Sequence, residues 1–184
     1  MSPLLRFDDV TLHRGGRLLF EGLSFTVEPG EAMHVVGPNG TGKSSLLRLA
    51  ATLLRASRGI VESAPASLAD DHLALDRELP LKRALGFWAA HDLEGALAMV
   101  GLAPLADVPV RLLSSGQAKR ATLARVAASA KPLWLLDEPL NALDADGAEQ
   151  LSRLIAQHRA TGGAVLVASH QQLPGEWRML ELGQ

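Results

Sequence analysis

The sequence predicts an α/β fold with a parallel sheet, because buried strand patterns alternate with helical patterns along most of the chain. Three short runs rich in apolar residues, 32–36, 132–136 and 164–168, have the length and composition of buried strands. A helical pattern from about 146 to 160 separates the last two runs. A strand, a crossover helix and a second strand form a parallel pair, so these runs predict a sheet covered on both faces.

The rest of the chain predicts strands first and helices later. The first 30 residues alternate apolar and polar positions between glycines, which indicates several short antiparallel strands. A first helix is expected to run to about Arg55, with Leu53 on its buried side. Further helices are expected from about 81 to 101 and from about 115 to 130.

Length and composition favour one ordinary globular domain. A chain of 184 residues with 47% hydrophobic residues can bury a substantial core. Its net charge of −2 gives no basic surface of the kind that binds nucleic acid or an acidic membrane. The chain has no cysteine, which excludes disulfides and thiolate metal sites, and no apolar run long enough to span a bilayer.

A phosphate-binding loop is predicted directly after the first apolar run. The loop fits the pattern G-x-x-x-x-G-K-[ST] at every fixed position, with the residues Gly37-Pro38-Asn39-Gly40-Thr41-Gly42-Lys43-Ser44. Its glycines let backbone N–H groups approach phosphate oxygens, and the helix that follows favours an anion at its N-terminus. Lys43 is expected to reach the β- and γ-phosphates and Ser44 to bind Mg²⁺. The alternative is a glycine-rich turn between a strand and a helix.

Two carboxylates, Asp137 and Glu138, end the apolar run 132–136. Beside a phosphate-binding loop, Asp137 can hold Mg²⁺ and Glu138 can orient and deprotonate an attacking water. The alternative is a pair of carboxylates that only terminates a strand before Pro139. The phosphate-binding loop favours the catalytic interpretation.

A second candidate anion site is the helix start at Ser114-Ser115-Gly116-Gln117. Serines in front of a helix are ordinary N-caps, which is the alternative here. A serine and glycine at a helix N-terminus can also hold a phosphate.

With these motifs in this order, the chain resembles the ATP-binding cassette (ABC) family over nearly all of its length. Residues 37–44 resemble the Walker A motif, and residues 133–138 resemble the Walker B motif. Residues 113–117 are similar to the LSGGQ signature, with Ser115 in place of the first glycine. Residues 142–144 resemble the D-loop, and residues 168–170 resemble the segment with the switch histidine.

The resemblance implies a fold and a set of roles. The fold is a P-loop NTPase domain over residues 1–184, with an N-terminal antiparallel β-subdomain and an inserted helical subdomain at about 76–130. ATP and Mg²⁺ are the implied cofactors, and Ser45 joins the nucleotide-binding residues. Two subunits pair head to tail, so residues 114–117 of one subunit close on the γ-phosphate held by its partner. His170 holds the attacking water with Glu138, and Asp144 couples the two sites; the alternatives are a structural histidine and a helix cap.

Two positions depart from the family pattern. An aromatic residue usually stacks on adenine, but this chain has no tyrosine, and the best alignment places Arg14 there. Arg14 can stack through its planar guanidinium, or it can be a solvated turn residue. The family's glutamine between the sheet and the helical subdomain is also missing, with Asp76 nearest by position. Asp76 can bind Mg²⁺ or be an ordinary loop charge.

Within the family, the resemblance is strongest to the ATP-binding subunits of haem exporters in cytochrome c maturation. It implies a peripheral protein on the cytoplasmic face of the bacterial inner membrane, docked on integral membrane subunits. It implies no nucleic acid partner and no direct contact with haem. Phe87 and Trp88 either line the groove for a membrane partner or belong to the core. An ABC exporter of another substrate and an ABC protein acting on ribosomes or DNA remain the alternatives.

Overall fold

The computed structural model describes residues 2–70, 72, 74–90 and 92–183. In chain order its strands are β1 (Leu5–Arg14), β2 (Arg17–Val27), β3 (Ala32–Val36), β4 (Arg58–Ser63), β5 (Ala66–Ala69), β6 (Leu133–Asp137), β7 (Ala164–Ala168) and β8 (Arg178–Glu181). Its α-helices are α1 (Lys43–Ala50), α2 (Leu81–Gly86), α3 (Leu93–Met99), α4 (Ser115–Ala128) and α5 (Ala145–Ala160). Single 3₁₀ turns lie at Ala103–Leu105 and Val110–Leu112.

The larger sheet is parallel, as the sequence predicts. Its order is β5-β6-β7-β3-β8, and each neighbouring pair is parallel. The carboxyl end of β7 therefore lies between those of β3 and β6. Ligands of open α/β sheets bind at this edge, where the loops after β3, β6 and β7 meet.

Strand β6 shows why an unbroken apolar run is needed at the centre of this sheet. Leu133 and Leu135 pack with α1 and the antiparallel sheet in one core cluster, while Trp134 and Leu136 pack with α4 and α5 in the other. Since successive side chains of a strand point to opposite faces, both faces of β6 require apolar residues.

The N-terminal part forms fewer and longer strands than the sequence pattern suggests. Strands β2, β1 and β4 make a three-stranded antiparallel sheet. Glycine 22 does not break β2: its φ of 66° accommodates an irregularity within the strand. The prediction of antiparallel strands is confirmed, and their number was wrong because Gly22 bends a strand that continues.

Helix α1 ends earlier than its apolar pattern predicts. It stops at Ala50, and Thr52 has a positive φ of 60°. The backbone N–H of Leu53 donates to the carbonyl of Arg48, which turns the chain away from the helix. Leu53 is consequently 65% exposed, so its predicted burial was wrong.

The helical region between β5 and β6 begins with two short helices instead of one long one. Helix α2 ends at Gly86, and α3 starts after Asp92, whose carboxylate accepts from the N–H of Gly95. Phe87, between the two helices, is 85% exposed, and Trp88 is partly exposed. The prediction of one continuous helix over 81–101 was therefore wrong. In the described part of the chain, no helix has both the length and the apolar character to span a membrane.

Candidate active site at the carboxyl ends of the parallel strands

A pocket of about 390 Å³ opens between the β1–β2 hairpin, the glycine-rich loop and the end of β6. Nine of the residues predicted for nucleotide binding, metal binding and catalysis line it. Its lining consists of Arg14, Leu19, Asn39, Gly40, Gly42, Lys43, Ser44, Ser45, Asp137 and Glu138. Residues separated by about 90 positions in the sequence thus meet in one cavity, because β3 and β6 end at the same edge of the sheet.

The glycine-rich loop depends on backbone conformations that favour glycine. Gly37, Gly40 and Gly42 have φ angles of 146°, 83° and 103°. A Cβ on Gly37 would lie 2.3 Å from the carbonyl oxygen of Leu182. The loop is also braced from within, since the Thr41 hydroxyl donates to the Pro38 carbonyl at 2.9 Å. The glycines therefore fix the loop's path across the end of the sheet.

Lys43 is buried against this loop and held at its centre. Its Nζ donates to the carbonyl oxygens of Gly37 and Pro38 at 2.7 and 3.1 Å. The ammonium group is therefore positioned beside the backbone N–H groups at the start of α1. Together they could form a cationic cradle for phosphate.

Glu138 lies at the pocket wall in a conformation unusual for its residue type. Its φ is 45°, and its N–H donates to the carbonyl of Ala168 at the end of β7. The Nδ1 atom of His170 lies 3.0 Å from the Oε2 atom of Glu138. The side chain of Glu138 is 20% exposed, so the carboxylate is accessible from the pocket. Its Oε2 atom is held by the contact with His170.

Ser169 contributes to this arrangement, although the sequence did not single out its side chain. Its hydroxyl donates to Glu138 Oε2 at 3.1 Å and accepts from the N–H of Gln171 at 3.0 Å. The Ser169 carbonyl in turn contacts Nε2 of buried His34 at 3.0 Å. The available signal was a polar residue that follows the buried strand β7 and directly precedes a candidate catalytic histidine.

Asp137 and Ser44 could hold a divalent cation together. Both line the same pocket, and carboxylate and hydroxyl oxygens are ligands that Mg²⁺ accepts. Lys119 from α4 donates to the backbone carbonyl of Asp137 at 3.3 Å, which ties the strand end to that helix. Among the described residues, no group of three or more His, Asp or Glu side chains could form a metal site. A cation here would therefore take its remaining ligands from phosphate and water.

Arg14 lies at the mouth of the pocket. Its Nη1 donates to the hydroxyl of Ser45 at 3.2 Å, which brings the hairpin onto the first turn of α1. Asp76 behaves differently: it is exposed, its Oδ1 accepts from the backbone N–H of Glu78, and it is not part of the pocket lining.

The predicted second anion site lies apart from this pocket. Ser114 and Gln117 form a capping box at the start of α4, with N–H to side-chain distances of 3.2 and 2.9 Å. A Cβ on Gly116 would lie 2.9 Å from the carbonyl oxygen of Ala142, so the two loops touch. Asp144 caps α5 by accepting from the Gly147 N–H at 2.8 Å. The described geometry thus gives Ser114, Gln117 and Asp144 local capping roles and leaves Ser115 exposed.

Comparison with known proteins places these features in one family. A family model described as ABC transporter matches residues 20–141. The cytochrome c biogenesis ATP-binding export protein CcmA of Sphingopyxis alaskensis is 52% identical over 177 residues, which cover 92% of this chain and 91% of that protein. The protein of the same name from Novosphingobium aromaticivorans is 55% identical over 167 residues, with coverages of 90% and 87%.

Solved structures agree on the fold. An ATP-binding subunit of an ABC transporter superposes with a TM-score of 0.88 at 20% identity, over 97% of this chain and 85% of that one. A dimeric post-hydrolysis state of an ATP-binding cassette, bound to ADP and Pi, superposes with a TM-score of 0.84 at 22% identity, over 97% and 94%. At these identities the likeness shows a common architecture, and it confirms the predicted fold class.

Proposed function

Because the chain belongs to the ABC transporter family, we propose that it is the ATP-hydrolysing subunit of a membrane complex that exports haem for cytochrome c biogenesis. One observation carries the hydrolytic part of this proposal: Glu138, whose Oε2 atom contacts His170, lines the same pocket as Lys43. Phosphoryl transfer depends mainly on positioning and electrostatic stabilisation, and this arrangement provides both.

ATP would bind with its β- and γ-phosphates in the cradle of residues 37–45. The N–H groups at the start of α1 and the Lys43 ammonium would replace water around the phosphate oxygens. Lys43 would turn to the phosphates from the carbonyls of Gly37 and Pro38, which it contacts at 2.7 and 3.1 Å. Mg²⁺ would be held by Ser44 and Asp137, and when bound it neutralises charge on the β- and γ-phosphates.

Hydrolysis would proceed by attack of a water on the γ-phosphate. Glu138 would orient this water and accept its proton, which is the role of a general base. His170 would fix the carboxylate through the 3.0 Å contact and hold the water in line. The bond that forms joins the water oxygen to the γ-phosphorus, and the bond that breaks joins the γ-phosphorus to the oxygen that leaves with ADP.

A second copy of the chain would complete the site. Ser115 is exposed at the N-terminus of α4 and is not part of the lining of the pocket. In a head-to-tail homodimer, residues 114–117 would meet the γ-phosphate held by the partner, and Asp144 would lie beside them. The capping interactions of Ser114 and Asp144 would keep these loops rigid for that contact.

Integral inner-membrane subunits would be the other partners, with this chain on their cytoplasmic face. A pocket of about 440 Å³ next to Trp88 and Leu53 is the proposed docking groove, and residues 76–130 would form the helical subdomain that flanks it. Exposed Phe87 would extend its apolar surface. Haem itself would be handled by the partners, through delivery to or release from a periplasmic haem chaperone.

Turnover of ATP by the purified chain and by Glu138→Gln tests this proposal. Size-exclusion chromatography of both proteins in ATP reports the dimer. Glu149→Gln is the matched control, because Glu149 is an exposed carboxylate that pairs with Arg153 within α5. We expect turnover to fall by about 10²–10⁴-fold in Glu138→Gln, since a general base is lost. The variant should then accumulate as an ATP-bound dimer.

The opposite results would be informative in different ways. A Glu138→Gln variant with wild-type turnover would remove Glu138 from the mechanism. If ATP does not bind the wild-type chain, the assignment as an ATPase fails. Purification of the chain with ribosomes or DNA instead of membrane proteins would contradict the transporter assignment.

A further inference from the structure

Strand β3 contains one polar residue, the buried His34, and its other four residues are apolar. Met33 and Val35 pack in the core cluster that includes α1. Because successive side chains of a strand point to opposite faces, His34 lies on the other face, where Trp177 meets its ring edge-on at a centroid distance of 6.1 Å. A buried imidazole costs free energy unless it is hydrogen-bonded, so the partner of His34 indicates why this position is polar.

The partner of His34 is the backbone of Ser169, the first residue after β7. Nε2 of His34 lies 3.0 Å from the Ser169 carbonyl oxygen. Since a carbonyl only accepts hydrogen bonds, Nε2 carries the proton and donates it. The N–H of Ser169 donates in turn to the carbonyl of Val35 at 3.4 Å. Both backbone groups of this fully buried residue are therefore bonded to β3.

The segment that His34 holds carries two groups that contact the candidate general base. The Ser169 hydroxyl donates to Glu138 Oε2 at 3.1 Å, and Nδ1 of His170 lies 3.0 Å from the same oxygen. A shift of the Ser169 backbone would move both groups away from Glu138. Strand β3 also leads directly into the glycine-rich loop at Gly37, so one strand positions the phosphate-binding loop and the support of the carboxylate.

We propose that His34 is a positioning residue for ATP hydrolysis: its hydrogen bond to the Ser169 carbonyl places the Ser169 hydroxyl and the His170 imidazole on Glu138. The inference rests on the proposed function and deepens it, because it concerns the same general base. His34 is not part of the lining of the nucleotide pocket, so it would act through Ser169. Loss of this hydrogen bond would leave a buried carbonyl without its donor and free the segment to move.

Substitutions of His34 by phenylalanine and by glutamine separate the hydrogen bond from the volume of the ring. Phenylalanine keeps a ring beside Trp177 and has no donor, whereas the glutamine amide can donate from near the position of Nε2. In His34→Phe we expect kcat for ATP to fall by about 10- to 100-fold, because a small misplacement of reacting groups is costly. The Kd for ATP should change by less than about twofold, and His34→Gln should recover kcat to within about threefold of wild type.

His158→Phe is the matched control. The ring of His158 also contacts a tryptophan, Trp134, and its Nε2 lies 3.2 Å from the carbonyl oxygen of Pro132. Pro132 directly precedes β6, whereas Glu138 directly follows it, so the control lies at the opposite edge of the sheet. His158→Phe should keep the kcat of the wild type.

A double substitution distinguishes positioning from general damage to the fold. If His34 acts through Glu138, adding His34→Phe to Glu138→Gln should slow the residual hydrolysis by less than about twofold. General damage would instead slow it by the same factor as in the wild-type background, and this result would overturn the inference.

Nitrogen NMR of the wild-type chain with labelled histidines tests the hydrogen bond without any substitution. We expect the proton of His34 on Nε2, because the Ser169 carbonyl can only accept. A proton on Nδ1 with a bare Nε2 would overturn the inference, even if the variants of His34 failed to fold.

Two kinetic results would also overturn it. One is a wild-type kcat in His34→Phe, and the other is a loss of kcat in His34→Gln as large as that in His34→Phe. Either result would leave the proposed function intact, provided that the wild-type chain hydrolyses ATP and Glu138→Gln does not. A wild-type chain that neither binds nor hydrolyses ATP would defeat both proposals, so the two failures are distinguishable.

Discussion

The Nδ1 atom of His170 lies 3.0 Å from the Oε2 atom of Glu138. This contact joins the loops that follow two neighbouring parallel strands, β6 and β7. Glu138 is held there at a φ of 45°, with its N–H bonded to Ala168 and its carbonyl bonded to the N–H of Asn141. Strained backbone of this kind persists where the surrounding structure fixes it, and it is common at catalytic positions. The carboxylate therefore has one preferred orientation before any substrate is bound.

Removal of the His170 side chain should impair chemistry more than nucleotide binding. In His170→Ala, Glu138 keeps its hydrogen bond from Ser169 but loses the imidazole. We expect kcat for ATP to fall by about 10²-fold, which is at the low end for a group that assists proton transfer. The Kd for ATP should change little. His13→Ala, an exposed histidine outside the lining of the pocket, is the control. A proportional loss of ATP affinity would instead make His170 a binding residue.

Gly37→Ala should destabilise the protein and disrupt the phosphate-binding loop. The new Cβ would lie 2.3 Å from the Leu182 carbonyl oxygen, at a φ of 146° that L-residues rarely adopt. Strain at such a position costs about 1–3 kcal/mol, to which the contact with Leu182 adds. Urea denaturation and ATP titration measure the two effects. Gly86→Ala is the control, because no described residue beyond its chain neighbours and its own helix backbone lies within 4 Å of its Cβ position. Equal stability of both variants would contradict the role of Gly37.

The parts of the site that could be predicted from the sequence are those formed by residues close together in the chain. The glycine-rich loop and the carboxylates after β6 each form a short continuous motif. The distance between His170 and Glu138 is different, because it depends on β6 and β7 being neighbours. From the sequence, His170 was expected to lie near Glu138 only because of the family resemblance. The contribution of Ser169 became visible once its hydroxyl was placed 3.1 Å from Glu138.

The elements that sequence reasoning missed depend on distant partners. Residues 56–78 show no clear local pattern, yet they contain β4 and β5. Strand β4 exists because it pairs with β1, about 50 residues earlier in the chain, and such pairing leaves little local signal. Leu53 continues the apolar periodicity of α1, but the backbone turns at Thr52 before reaching it. Periodicity therefore predicted the start of α1 better than its end.

Substitutions of the two neighbouring serines at the start of α4 should have different effects, one on the stability of the fold and the other on association. The Ser114 hydroxyl accepts from the Gln117 N–H, and Ser114→Ala should lower the free energy of unfolding by about 1 kcal/mol. Ser115 is exposed, so Ser115→Ala should change stability by less than about 0.5 kcal/mol. In the proposed dimer, Ser115→Ala should weaken ATP-dependent association. Urea denaturation and size-exclusion chromatography in ATP check both expectations, and a dimer unaffected by Ser115→Ala would count against this contact.

His158 should make the stability of the fold depend on pH. Its ring stacks on Trp134 with centroids 3.8 Å apart, and its Nε2 lies 3.2 Å from the Pro132 carbonyl oxygen. Burial lowers the pKa of His158 below its ordinary value of 6.5, and hydrogen bonds with the backbone of Pro132 and Ala164 offset part of that shift. Below pH 6.5 the unfolded chain takes up a proton that the folded protein resists, so stability is lost as the pH falls from that value toward the lower folded pKa.

The variant His158→Phe isolates this contribution, because phenylalanine keeps an aromatic ring on Trp134 and cannot be protonated. Urea denaturation at about pH 8 and about pH 5.5 gives the free energy of unfolding of both proteins. We expect wild type to lose stability relative to His158→Phe on acidification, by at most about 1.4 kcal/mol per pH unit. His13→Phe controls for the loss of a histidine at an exposed position. If the stability difference between wild type and His158→Phe is the same at both pH values, burial of His158 does not resist protonation, and the stack tolerates the charge.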